Sequence, residues 1–216
     1  MSRRRLTLVG TLLALSAWCV ALLEIRGHAY GATRYGFLVF NLELAWIPLL
    51  FALLVESVGR RIVPALALGV LWLLFLPNAP YVLTDFVHLG ETHRLYDTVV
   101  VGSFAFTGIL LGFASVALVQ RTVTRWIGAV AGWIVALGSL GLSSVGIYLG
   151  RVQRLNSVDA FTHPHRIAVL ARIRMEHPLA NPHLLAYVGA LSGFLMLAYV
   201  VLQVVARSAD APAPSA

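Results

Sequence analysis

The chain has 216 residues and a mass of 23.4 kDa, enough for one domain and short for two. Hydrophobic residues make up 59 % and charged residues only 12 %, with a mean hydropathy of +0.84, which excludes a soluble enzyme, a disordered chain and a nucleic-acid-binding module together. All sixteen basic residues are arginine, against nine acids, and they lie between apolar runs rather than in a basic stripe, so the high pI points to membrane flanks.

Six stretches are apolar enough to cross about 30 Å of hydrocarbon, which takes about 20 helical residues. They fall near 6–23, 36–56, 62–83, 98–119, 126–149 and 184–206. The runs are continuous and lack the alternation of barrel strands, so the expected fold is an all-α polytopic transmembrane bundle with a long interfacial loop between spans five and six. Short hinges are expected at Glu56–Arg61 and around Arg121 and Arg125. Residues 1–207 read as one integral-membrane domain, and 208–216 as a disordered tail with nothing to bury. The apolar run Leu6–Leu23 exceeds the roughly 7–15 residues of a signal-peptide core, so it reads as a retained anchor. The single cysteine, Cys19, excludes an intrachain disulfide and a CxxC metal knuckle.

With the N-terminus inside, the arginines divide eight and eight. Before the fifth span they divide seven inside (Arg3, Arg4, Arg5, Arg60, Arg61, Arg121, Arg125) and three outside (Arg26, Arg34, Arg94). Early segments dominate orientation, so both termini are expected in the cytoplasm of a bacterial inner membrane. The arginine-rich loop after span five then lies outside, against the rule.

In this topology the out-of-place polar residues share the outer boundary. Asn41 and Glu43 open span two, Asn78, Asp85, His88 and Asp97 surround the end of span three, and Arg151, Asn156 and Asp159 follow span five. Pro77 and Pro80 bracket Asn78, remove backbone donors and break the helix, and the carbonyls so freed need partners from protein. Asn78 can supply them. Asp85 and His88, three apart, share a face if the helix resumes. They can shuttle a proton, pair with each other or hold a metal, although two ligands without a third are a weak metal signal. An N-cap by Thr84 or Asp85 is the structural alternative. Arg151 sits at headgroup depth, either as partner of Asp85, Asp97 or Asp159, or as a holder of a phosphate or carboxylate together with Arg154.

Between Arg166 and Glu176 an irregular interfacial helix is expected. His163, His165, His177 and His183 lie beside prolines and read as loop residues rather than metal ligands. Gly102, Gly108, Gly112 and Ser115 in span four, and Gly128, Gly132, Gly138 and Gly141 in span five, read as close-packing stripes. Trp46, Trp126 and Trp133 read as belt and core residues.

Leu76-Pro77-Asn78-Ala79-Pro80-Tyr81 running into Thr84, Asp85 and His88, then Gly146-Ile147-Tyr148-Leu149-Gly150-Arg151 running into Asn156, Ser157 and Asp159, resembles an uncharacterised bacterial integral-membrane family, domain of unknown function 1361. Asn41-Leu42 with Leu44-Ala45-Trp46-Ile47-Pro48 is similar to that family's other motif. The resemblance covers roughly 35 to 205. It implies a bacterial polytopic membrane protein and brings no reaction, substrate or cofactor.

The leading expectation is an outward-facing polar pocket for a lipid headgroup or small polar solute. Asn41, Asn78, Tyr81, Arg151, Asn156 and Asp159 would bind, with His88 and Asp85 as the candidate proton-active pair and no metal. The alternatives are a small proton-coupled transporter, which with six spans would need a functional homodimer, and a membrane assembly or scaffold protein whose polar cluster only locks helices. The lipid bilayer is the expected partner, and nucleic acid is not.

Overall fold

The computed structural model describes residues 3–30, 35–89, 93–153 and 182–209, with residues 165 and 169. Helix α1 runs Arg3–Tyr30, α2 Phe37–Ser57, α3 Ile62–Phe75 and α4 Asn78–Tyr81, continued by a 3-10 segment over Val82–His88. Then follow α5 (Arg94–Ile127), α6 (Ala129–Gln153) and α7 (Pro182–Ala209). No strand occurs among the described residues. Six helical stretches are long and apolar enough to cross a membrane, the third formed by α3, α4 and the 3-10 segment together. The protein is an all-α, multi-pass membrane protein.

The chain forms two compact units, Met1–Ala136 and Leu137–Ala216. In the first, α5 is the central and most buried span. It packs against α1, α2, α4 and the 3-10 segment, while α2 also packs on α3 and α4. Small residues make this possible. A Cβ on Gly108 would collide with the carbonyl oxygen of Ala79, and one on Gly112 would stand 3.1 Å from Ala79 Cβ. The small-residue stripe of α5 is therefore the seat of the proline-broken segment, as close-packing glycines imply.

Ion pairs close both ends of this unit. At one end Glu56 Oε1 accepts from Arg5 at 2.7 Å and from Arg125 at 2.9 Å. At the other, Arg26 pairs with Asp97 at 3.0 Å. From Arg5 to Arg26 α1 climbs about 31 Å at 1.5 Å per residue, which matches the roughly 30 Å of bilayer hydrocarbon.

Three boundaries differ from the hydropathy reading. Helix α5 continues through Arg121 and Arg125 to Ile127, and the hinge is the single residue Gly128 at φ +120°. That backbone conformation suits glycine, and it lets Gly132 approach Thr124 and the Gln120 carbonyl. Helix α1 runs past Arg26 to Tyr30, because Arg26 finds its partner inside the unit instead of ending the span. Helix α7 continues through Ser208 and Ala209, two residues into the expected tail; residues 210–216 lie outside the described set. The hinge between α2 and α3 is as short as expected and turns at Gly59, φ +61°.

The second unit holds the rest of α6 and α7. Gly141 of α6 faces Met196 of α7, and the Tyr148 and Tyr187 rings meet at 5.9 Å. Gln203 donates to the Tyr199 hydroxyl at 2.7 Å, one turn away.

Candidate functional site

The proline pair does locally what its chemistry dictates. Ala79 N–H bonds to the Leu76 carbonyl rather than to Phe75, so the Phe75 oxygen loses its helical donor. The Asn78 side chain replaces it, Nδ2 donating to Phe75 O at 3.1 Å. Beyond the break the chain tightens to a 3-10 helix, in which residues three apart stack in register. The Thr84 hydroxyl donates back to the Tyr81 carbonyl at 2.7 Å, which stiffens the turn that carries Asp85.

Asp85 is 1 % exposed, and its Oδ2 accepts from Asn41 Nδ2 at 2.8 Å. This bond ties the second turn of α2 to the 3-10 segment and joins two residues that the sequence placed in one site. Asp97, one turn into α5, is 2 % exposed and receives Arg26 Nε on Oδ1 and the Tyr35 hydroxyl on Oδ2 at 2.8 Å. The Arg26 guanidinium also lies 5.1 Å from the Tyr35 ring centroid, a cation–π distance. Three separate segments thus converge on one carboxylate.

Asn41, Asp85 and Asp97 gather at the same end of the first unit. Tyr81 and Asn78 belong to the break, half-buried. His88 ends the 3-10 segment, but its side chain lies outside the described residues, as do Arg154, Asn156, Asp159, His163 and the 166–176 stretch except for Val169. Arg151 is half-buried in the last turn of α6, in the second unit. The partner of Asp97 is Arg26, a pairing that the sequence reading assigned to no residue of α1.

At the same end of the unit, where α1 finishes and α5 begins, lies an open cleft of about 480 Å³ lined by Tyr30, His93, Arg94, Leu95, Tyr96 and Val99. Tyr30 stacks on His93 at 4.0 Å and meets Tyr96 edge-on at 5.8 Å. The Tyr96 hydroxyl is anchored to the Leu22 carbonyl at 3.3 Å. Arg94 is exposed in the first turn of the 34-residue α5 and makes no ion pair among the described residues. A guanidinium at a helix N-terminus, beside an imidazole and two phenols, is a setting for an anionic group. The exposed Leu95 and Val99 supply an apolar flank. None of these six residues was singled out in the sequence as a ligand contact. The nearest signal was the arginine count, which recorded Arg94 only as a charge.

The family model described as Protein of unknown function (DUF1361) matches residues 40–202. The chain belongs to that family. The match takes in both proline-break and α6-end motifs and most of α2, so Asn41, Asp85, Asp97 and Arg151 are inside the family region, whereas Arg26 and Tyr35 precede it. No curated protein and no solved structure matches the chain.

Proposed function

We propose that this is a bacterial inner-membrane protein with both termini in the cytoplasm, and that the Asp97 end of its first unit binds a lipid headgroup or small polar solute at the outer surface. The cleft carries this reading. It joins a cation that has no carboxylate partner among the described residues to aromatic and apolar walls at the level where headgroup meets hydrocarbon. Orientation rests on the arginines. Seven of those in the first four spans and their loops belong to the Glu56 end, and of the three at the other end Arg26 is neutralised by Asp97.

The test is lipid retention by the full chain purified in dodecyl maltoside, read by native mass spectrometry. Bound phosphatidylglycerol should fall in Arg94→Ala and His93→Ala and persist in Arg60→Ala, while competition by inorganic phosphate would distinguish a free anionic solute from a lipid. Equal retention in all three variants would sink the assignment.

A second reading, a scaffold whose polar residues only lock helices, is favoured by the Arg26–Asp97–Tyr35 cluster. Both carboxylate oxygens there are occupied and almost no surface is left to a ligand. On that reading Asp97 variants lose stability and function together.

A further inference from the structure

At the end of the first unit away from the cleft, Glu56 is outnumbered by the arginines around it. Its Oε1 accepts from Arg5 Nη2 and from Arg125 Nη2, which holds two guanidinium groups side by side on a single carboxylate oxygen. Arg121, one turn before Arg125 on the same face of α5, is exposed and makes no hydrogen bond or ion pair among the described residues. Arg60 brings a further guanidinium against the Arg125 and Trp126 carbonyls. Among the described residues of the first unit, no second acid lies at this end. The signs are layered as well as unequal. The carboxylate is the buried member, with its side chain 8 % exposed, whereas those of Arg5 and Arg125 are 36 % and 59 % exposed. An approaching group therefore meets guanidinium and not carboxylate.

Like charges gathered where hydrocarbon begins repel more strongly than they do in water, and an anion set among them relieves the repulsion. The forked donors of arginine match the oxygens of a phosphate. The last carbonyls of α5 would oppose such an anion with their own partial charge, but Arg60 covers two of them. Membrane orientation requires only that arginines stand in the loops, not that they gather over a buried carboxylate. Ile62, Val63 and Ile127, at this same end, are exposed and give apolar surface beside the cations. A free phosphate has no use for that surface, and a lipid does. We propose that Arg5, Arg121 and Arg125 hold the phosphate of an anionic phospholipid in the leaflet at the Glu56 end. The inference is independent of the cleft, of its ligand and of which side of the membrane is the cytoplasm.

The test is native mass spectrometry of the full chain titrated with phosphatidylglycerol and phosphatidylcholine in equal amounts. It is run in an Arg94→Ala background, which removes the cation of the cleft. Phosphatidylglycerol should still be retained in preference to phosphatidylcholine. Arg121→Gln with Arg125→Gln should lower that affinity at least about tenfold, through the loss of two cations from the headgroup layer. Glu56→Gln keeps the acceptor oxygen and removes the competing negative charge, so it should raise the affinity. Because Arg125 also bonds to Glu56, Arg121→Gln alone repeats the comparison at an exposed position with no partner to lose, and should weaken retention with the helical circular dichroism spectrum unchanged. Phosphatidylglycerol held no better than phosphatidylcholine overturns the proposal, as does retention indifferent to the double replacement or to Arg121→Gln. Glycerophosphoglycerol, the same headgroup without chains, should displace none of the lipid at equal concentration. Displacement would make the ligand a free phosphate and overturn the assignment to lipid.

Discussion

Arg26 Nε donates to Asp97 Oδ1 at 3.0 Å, and this contact ties the end of α1 to the start of α5 with both side chains less than a tenth exposed. Charges buried this way are costly to desolvate, and the pair stands because Tyr35 takes the second oxygen and offers its ring to the guanidinium. Removing one partner strands the other. Arg26→Met or Asp97→Leu alone should lower stability by about 3–5 kcal/mol, whereas the double replacement should recover much of that loss. Tyr35→Phe, which removes one hydrogen bond to a charged group, should cost about 1.5–3 kcal/mol. Equilibrium unfolding in mixed detergent micelles measures all four, and the double-mutant cycle isolates the coupling.

The Asn41–Asp85 bond makes a separate prediction because it crosses between α2 and the proline-broken segment. Asn41→Ala should destabilise by about 1.5–3 kcal/mol, the range for a hydrogen bond to a charged group. Asn41→Asp should be worse, since it sets two carboxylates against each other. The same unfolding experiment decides it.

Close packing of the break on α5 should show as a graded series. Gly108→Ala places a methyl on the Ala79 carbonyl and should be severely destabilising, because backbone cannot step aside cheaply. Gly112→Ala meets Ala79 Cβ at 3.1 Å and Pro80 Cδ at an ordinary 3.7 Å, so it should be milder, costing about 1–3 kcal/mol as overpacking does. Gly10→Ala in α1 meets nothing within 4 Å and should be neutral or stabilising by up to about 1 kcal/mol through helix propensity. Thermal aggregation midpoints in detergent should rank the three in that order.

At the opposite end Glu56 serves two arginines through one oxygen, while Oε2 is buried without a partner among the described residues. Glu56→Ala frees Arg5 from Arg125 and should loosen the ends of α1 and α5, read as faster hydrogen exchange there. Arg125→Ala alone should cost about 1 kcal/mol or less, because that guanidinium is 59 % exposed and solvent screens it. Arg60, whose guanidinium reaches the last carbonyls of α5 at Arg125 and Trp126, keeps that helix end capped in either variant.

The six spans were legible because hydropathy over about 20 residues reports the solvent directly. The break at Asn78 was legible too, since a missing N–H has local consequences that a neighbouring amide can repair. The Asn41–Asp85 contact was anticipated only as membership of one boundary layer. Arg26 was not legible as a core residue. Its charge reads as a span end, and the carboxylate that neutralises it is distant in the sequence. Yet Leu12, Cys19, Leu23 and Arg26 are the buried positions of α1, so Arg26 falls on the helix's own packing stripe. Arg121 and Arg125 misled in the same way: they lie on α5, and the true hinge is marked by Gly128 instead. The cleft was invisible, because Tyr30 and His93 meet only when the ends of α1 and α5 come together.

Everything proposed for the site depends on the end of the first unit that carries the Arg26–Asp97 pair and the cleft facing the outer side of the membrane. Single cysteines at Gly90, Ser157 and Ser57 in a Cys19→Ser background, labelled in intact cells with a membrane-impermeant thiol reagent, test this directly. Gly90→Cys and Ser157→Cys should both label in intact cells, and Ser57→Cys only after permeabilisation. Labelling of Ser57→Cys in intact cells, or failure of Gly90→Cys to label there, would contradict the orientation and with it the outer-surface binding site.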